Sequence, residues 1–313
     1  MLKTLHIRNF RAIESLDIED LGRVNLLIGR NSSGKTTVME AACLAVGGPI
    51  SFGVLRGSRK QSEAVANPMF FFLRAGDTER RFEVWGTRSE NVASPRLTGS
   101  EGPAHALVAN WEGKDYPITW VNGAPHYTEL LLTTREPDWA NQSSGSLGGA
   151  ISRFVDLFRE GHEAAITQSL RLINPGLESL DVIGEDIWYK LTDVRPRLPL
   201  STLGDGALWL FDIAVGISNR VGPLCLDELD AGLHPTSLDQ AVRIIQSAAP
   251  ELQIFATTHS DECIRTACEV FRDAGDTGLR IIRLDRTGSG HRAAIYDRDA
   301  ALLALESGWE IRG

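Results

Sequence analysis

A chain of 313 residues is long enough to bury one large α/β core or a core with an inserted lobe, and its composition is that of an ordinary globular protein. The formal charge of −9 excludes a protein that coats nucleic acid through its whole surface, while leaving room for a local basic patch. No run approaches the ~18 apolar residues of a membrane helix, and MLKTLHIRNF alternates like a strand where a secretion signal would be apolar, so a cytoplasmic protein without membrane contact is expected.

Two strands are predicted first, around Leu2 to Ile7 and Ser15 to Ile18, and then a short apolar strand, Leu26-Leu27-Ile28. The next residues, IGRNSSGKTT, fit G-x-x-x-x-G-K-[ST] at Gly29, Gly34, Lys35 and Thr36. From Thr37 to Leu44 the composition is helical and contains no breaker. Strand, glycine loop and helix, in that order, point a helix N-terminus at phosphate. The backbone of Gly29, Arg30, Asn31, Ser32, Ser33, Gly34, Lys35, Thr36 and Thr37 would wrap a nucleotide, with Lys35 on the β and γ groups and the Thr36 hydroxyl on magnesium. The plain alternative is a Gly/Ser surface turn before a helix.

Gly47-Gly48-Pro49 breaks the helix, and residues 50–148 differ from the rest. They are rich in Gly, Ser, Pro and aromatic residues, with strand-like pieces at Arg81 to Trp85 and Tyr116 to Trp120, and read as an inserted, partly β lobe that closes in the loop Asn141 to Ser146. Apolar residues recur at helical spacing from Ile151 to Leu172, and Leu177 to Leu191 reads as a β pair. The α/β rhythm then returns: an apolar helix from Ala207 to Ile217, a strand Leu224-Cys225-Leu226, a helix from Ser237 to Ala248, a buried strand from Leu252 to Thr257, and late strands at Ile281 to Leu284 and Ala293 to Tyr296. There is no internal repeat and no heptad seam of several turns. Cys43, Cys225, Cys263 and Cys268 form no C-x-x-C pair and are expected as buried free thiols. Two basic clusters, Arg56 with Arg59 and Lys60, and Arg195 with Arg197, are candidates for phosphate contact, although such clusters are usually solvated loops.

Three further segments carry chemistry. In PLCLDELDAGLHP a strand delivers Asp227 and Glu228 to its carboxyl end, beside the phosphate loop in a doubly wound sheet. Asp227 would bind magnesium, directly or through water, and Glu228 would polarise the attacking water. Leu200 to Gly206 sets Gly204, Asp205 and Gly206 ahead of a helix, a second anion-binding device that one subunit's nucleotide does not need and that would serve a nucleotide held by another copy. In IFATTHSDE a buried strand brings His259 to the same sheet edge, where an imidazole can bond the γ-phosphate or orient water.

The order phosphate loop, Gly-Asp-Gly, Asp-Glu, Thr-His-Ser resembles the ABC-type ATPase heads of the RecF, SMC and OLD (overcoming lysogenization defect) group, and is most similar to OLD-like AAA ATPases. IRNFR with LLIGRNSSGKTT resembles the group's opening, LPLSTLGDGALWL its signature, LDELDAGLHP its Walker B segment and D-loop, and FATTHSDECI its switch histidine. The resemblance covers both ends of the chain and leaves residues 50–148 unexplained. It implies a P-loop NTPase of ABC-ATPase type, α/β, with a mixed central sheet flanked by helices, in which residues 1–49 and 199–313 form the nucleotide-binding core and residues 149–198 lead to the signature loop. It further implies ATP and Mg2+ as cofactors, Arg8 or Arg11 lining the nucleotide, and Asp230 to Pro235 facing a second copy. His234-Pro235 is similar to the OLD branch and unlike the Leu-Asp of transporter and SMC heads. Gly204 stands where those heads have the signature serine, so Ser201 or backbone amides would substitute. The Q-loop glutamine is open among Gln61, Gln142 and Gln168. With only about fifty residues after His259, no C-terminal Toprim nuclease domain is expected.

The resulting expectation is an ATPase that closes head to tail around two ATP molecules as a homodimer, with Glu228, His259 and Lys35 catalytic and Thr36 and Asp227 on the metal. Its output would be a conformational change passed to a separately encoded nuclease in a phage-defence system, or to DNA in repair. The alternative is a nucleotide sensor with little or no turnover, favoured by the altered signature loop and opposed by Glu228. A self-contained nuclease would need a further carboxylate cluster, for which Asp285, Asp297 and Asp299 are the only loose candidates.

Overall fold

The computed structural model describes residues 1–47, 81–88, 96–101, 107–111, 114–121, 124–127, 138–141, 147–219, 222–288 and 290–311. Two sheets dominate. The first is antiparallel, in the order β2-β1-β4-β5-β6-β7-β8, built from β1 (Leu2–Phe10), β2 (Ile13–Ile18), β4 (Phe82–Arg88), β5 (Leu97–Glu101), β6 (Leu107–Trp111), β7 (Lys114–Val121) and β8 (Ala124–Tyr127). The strands between residues 82 and 127 thus continue the sheet that β1 and β2 begin, through a β1–β4 ladder that sets Ile7 opposite Val84.

The second sheet has the order β16-β15-β3-β14-β13-β9. Its members are β3 (Val24–Ile28), β9 (Asp138–Asn141), β13 (Leu224–Asp227), β14 (Ile254–Thr257), β15 (Leu279–Thr287) and β16 (Gly290–Tyr296). All run parallel to their neighbours except β16, which returns antiparallel on β15. Strands buried on both faces read as unbroken apolar runs, and VNLLI of β3 is buried at every position. The one polar member, Asn25, is satisfied: it accepts from the Gly22 amide at 2.9 Å and donates to the Gly22 carbonyl at 3.0 Å.

Helix α1 (Lys35–Gly47) lies between the two sheets. Its apolar residues are not confined to one stripe, as a helix covered on all sides requires, and Ala41, Ala42 and Ala45 are fully buried. The alternation of the parallel strands divides the core. Leu27, Cys225, Phe255, Ile282 and Leu284 face α1 and the antiparallel sheet. Leu26, Leu224, Leu226, Ile254 and Ile281 face a helical layer made of α2 (Leu147–Arg159), α3 (Glu163–Arg171), α4 (Asp205–Asn219), α5 (Pro235–Gln246), α6 (Asp261–Asp273) and α7 (Arg298–Glu306). The helical pattern of Ile151 to Leu172 is two helices, broken at Gly161 with φ +79°. A small sheet, β10 (Leu177–Ile183), β11 (Asp186–Leu191) and β12 (Leu198–Pro199), joins α3 to α4. Among the described residues no helix is long and apolar enough to cross a membrane. The four cysteines are free and buried. Burial pushes the Cys263 and Cys268 thiols up to about 12, so neither is a nucleophile at neutral pH.

Candidate nucleotide site

Strands β3, β14 and β13 are neighbours and parallel, so the segments that follow them emerge at one edge of the sheet. Those segments are the Gly29–Gly34 loop, Thr258-His259-Ser260 and the Asp227-Glu228 pair. The carboxyl edge of an open parallel sheet is where such folds bind ligands.

The loop is built by backbone conformation. Gly29 has φ +139°, Ser32 +64° and Gly34 +100°. At Gly29 glycine is required twice over, because a Cβ would stand 2.4 Å from the Leu284 carbonyl oxygen of β15 and 2.8 Å from Ser33 Oγ. Ser33 N donates to the Arg30 carbonyl at 3.1 Å, and Val38 N to that of Gly34 at 2.9 Å, which joins the loop directly to the first turn of α1. The Lys35 ammonium, 7% exposed, donates to the carbonyls of Gly29 (2.8 Å) and Arg30 (3.0 Å). Desolvation lowers its pKa to about 8, against the raising charges of Asp227 and Glu228. Thr37 is buried beside it.

Across from the loop, Thr36 Oγ1 lies 3.5 Å from Asp227 Oδ2. A hydroxyl and a carboxylate at that separation form the hard-oxygen set that magnesium takes, the remaining positions falling to phosphate and water. Glu228 follows in the left-handed region at φ +55°, a conformation that costs a side-chain-bearing residue about 1 kcal/mol and swings it off the line of β13. Two threonines without a predicted role hold the acidic segment: Thr257 sets Asp227 and Glu228, and Thr258 sets Asp230. Thr257, 1% exposed, donates to Asp227 Oδ1 at 2.7 Å and accepts from the Glu228 amide at 2.8 Å. Thr258, fully buried, donates to Asp230 Oδ1 at 2.5 Å. Sequence carried no local signal for them, because a threonine completing a strand as apolar as IFAT reads as an ordinary β-former. His259 is exposed at the mouth of the site. Desolvation by its surroundings lowers its pKa, and the Lys35 charge lowers it further, against Asp230, Glu228 and Asp227.

The predicted Gly204-Asp205-Gly206 loop begins α4, with Gly204 and Asp205 exposed. Its carbonyl at Gly204 accepts from Ala207 N (2.9 Å) and Leu208 N (3.1 Å), and a Cβ at Gly204 would meet nothing within 4 Å. One turn on, Trp209 Nε1 donates to the Leu229 carbonyl at 3.0 Å, tying α4 to the segment after Glu228. Arg11, in the β1–β2 turn at φ +51°, points into the protein: its Nε is 2.6 Å from Glu40 Oε2 on α1, and both side chains are buried. Arg8 is engaged with Asp17 at 2.8 Å. Arg197 pairs with Asp181 at 2.9 Å, and Arg195 is exposed. Arg56, Arg59, Lys60, Gln61 and Gln142 lie outside the described residues; Gln168 is on α3. Asp285 pairs with Arg283 (2.8 Å), Asp297 caps α7 by accepting from Ala300 N (2.8 Å), and Asp299 is 3.5 Å from Arg298. Among the described residues no group of three or more His, Cys, Asp and Glu side chains is placed to hold a metal.

The sequence model of one family, described as "AAA domain, putative AbiEii toxin, Type IV TA system", matches residues 24–265, and that of a second, "AAA ATPase domain", matches residues 1–43. Similar proteins include an OLD nuclease of Thermus scotoductus, 23% identical over an alignment covering 97% of this chain and 66% of that protein, so the chain spans just under two thirds of its length. An ATP/GTP phosphatase of Helicobacter pylori is 20% identical, covering 87% of this chain and 89% of that one. Among solved structures, an SMC head bound to the C-terminal winged-helix domain of ScpA superposes with a TM-score of 0.59 at 14% identity, over 96% of this chain and 99% of that chain.

Proposed function

The chain belongs to the AAA-domain family whose sequence model spans residues 24–265, an ATPase of the SMC, RecF and OLD type, and from that premise we propose that it binds ATP with magnesium, hydrolyses it, and dimerises in doing so. The observation that carries this reading is the convergence of Lys35 and Thr36, His259, and Asp227 with Glu228 at the ends of the adjacent strands β3, β14 and β13, with Thr36 Oγ1 3.5 Å from Asp227 Oδ2.

In this reading the amides of residues 29–37 and the Lys35 ammonium hold the phosphates, and Lys35 leaves the carbonyls of Gly29 and Arg30 for the β and γ groups. Thr36 and Asp227 hold magnesium, which spreads the charge that develops on the phosphates. Glu228, turned off the strand, orients a water and accepts its proton. His259, at the mouth of the site, bonds the γ-phosphate and reports its presence. The Gly204–Gly206 segment, exposed at Gly204 and Asp205, serves the nucleotide of a second copy, with backbone amides or Ser201 in place of the signature hydroxyl. ATP contacting both faces favours the closed pair, and hydrolysis removes the bridge. The conformational change is delivered in the cytoplasm to a partner, either a separately encoded nuclease or DNA. In support, the superposing SMC head is itself bound to a ScpA domain.

The test is magnesium-dependent ATP turnover against protein concentration, for wild type and Glu228→Gln, with mass in solution recorded with and without ATP. Specific activity should rise with concentration. Glu228→Gln should bind ATP, stay dimeric and lose at least ~100-fold in turnover. Activity flat with concentration, or a monomer in every nucleotide state, refutes the dimer. Nucleotide binding without turnover in wild type would select the sensor reading, which draws on the missing hydroxyl at Gly204.

A further inference from the structure

Thr257 is too deeply buried, at 1% exposure, to touch nucleotide, yet both acids of the site depend on its one hydroxyl. A threonine hydroxyl has one proton to give and lone pairs to receive. Here the proton goes to Asp227 Oδ1 at 2.7 Å, and a lone pair takes the Glu228 N–H at 2.8 Å. The first bond fixes the rotation of the Asp227 carboxylate, so that Oδ2 is the oxygen left facing Thr36. The second pins the amide at which the chain leaves β13 for the left-handed conformation of Glu228. The β-branch holds χ1 of Thr257 in a narrow range, so both bonds originate from one stiff anchor. That anchor belongs to β14, the strand that also delivers His259.

We propose that Thr257 is a positioning residue that orients Asp227 for the metal and Glu228 for water through a single bridging hydroxyl. The assignment rests on the ATPase reading above. A residue whose only task is to pack β14 would be served equally by valine, which has the same shape. Loss of the hydroxyl alone should therefore be felt on the magnesium side of the site and not in phosphate binding as such, because its bonds go to Asp227 and the Glu228 amide.

The experiment compares wild type with Thr257→Val and Thr257→Ser, all in the full chain, by titrating a fluorescent non-hydrolysable ATP analogue at rising magnesium and in chelator, alongside turnover. Thr257→Val should bind the analogue in chelator within about twofold of wild type, while needing about tenfold more magnesium for half-maximal effect, the loss typical of a group that supports a metal ligand. Its kcat should fall about tenfold or more at saturating magnesium with KM for ATP little changed, and Thr257→Ser should restore most of both. Thermal melts establish that each variant is folded. Should valine unfold the chain, Thr257→Ala against Thr257→Ser makes the same comparison. A wild-type magnesium dependence in Thr257→Val, an equal loss of binding with and without magnesium, or a folded serine variant as impaired as valine overturns the assignment. If wild type binds the nucleotide and turns none over, the magnesium titration still decides the role of Thr257. If wild type binds no nucleotide at all, the ATPase reading fails first and takes this inference with it.

Discussion

Lys35 holds an ammonium that is 7% exposed, with a pKa brought down to about 8 chiefly by desolvation. Its unfolded value is 10.5, so between about pH 8 and 10.5 the unfolded chain binds the extra proton and stability rises with pH. Below pH 8 both states are protonated and the full cost of burying the charge is present, on the order of 1–3 kcal/mol. Lys35→Met removes that charge. Urea unfolding of the nucleotide-free protein should therefore show Lys35→Met gaining on wild type at pH 7.5, and the difference shrinking toward pH 10.5. A difference independent of pH would mean that Lys35 titrates normally in the folded state. The candidate-site residues that sequence displayed were those with a pattern around them: Gly29, Gly34, Lys35 and Thr36 stand in a fixed spacing, and Asp227, Glu228 and His259 follow apolar strands. Thr257 was not legible, because a threonine completing a buried strand looks like any β-former until its hydroxyl is seen against Asp227. Arg11 was legible as a basic residue near the loop, while its direction, inward onto Glu40, depends on a turn conformation that sequence does not specify.

At the scale of elements, α1 has neighbours to satisfy on both sides, since it lies between two sheets. Glu40 is fully buried on it, and the charge it carries is met by Arg11 reaching over from the β1–β2 turn at 2.6 Å. Breaking such a pair from either side leaves a buried charge alone, whereas replacing both partners by apolar side chains does not. Arg11→Ala and Glu40→Ala should each cost about 3–5 kcal/mol in chemical denaturation, and Arg11→Met with Glu40→Leu should recover most of the loss. Additive losses in the double variant would show that the pair is not the source. Helices and strands of the last third were readable because 3.6-residue and unbroken apolar patterns alternate there, and observed ends differ mainly by extension, as from Ala207–Ile217 to Asp205–Asn219. The break at Gly161 was hidden by apolar spacing that continues in phase on both sides. Pairing between distant strands, such as Ile7 with Val84, left no local trace at all.

For the whole molecule, the decisive quantity in the proposed closure is that each copy carries a formal charge of −9. Two such bodies repel over the screening length, which shortens from about 14 Å at 50 mM salt to about 7 Å at 200 mM. ATP-dependent association of the Glu228→Gln protein, followed by sedimentation, should therefore strengthen severalfold across that range. Weakening with salt would instead mean that opposite charges meet across the interface. The strand order carries one more consequence, for the nascent chain. β3 leads straight into the phosphate loop and leaves the ribosome more than 200 residues ahead of its two neighbours, β14 and β15, which lie between residues 254 and 287. Until they arrive β3 has neither partner, and a strand that is buried at all five positions in the fold stands with both edges open. Antiparallel β1 and β2 can pair as soon as they emerge, since only a two-residue turn separates Phe10 from Ile13, but the candidate site cannot assemble until β13 and β14 arrive. A ribosome stalled between the phosphate loop and β14 holds a polypeptide that already contains the complete G-x-x-x-x-G-K-T motif and lacks the strands that frame it, which makes that product a client for chaperones and proteases.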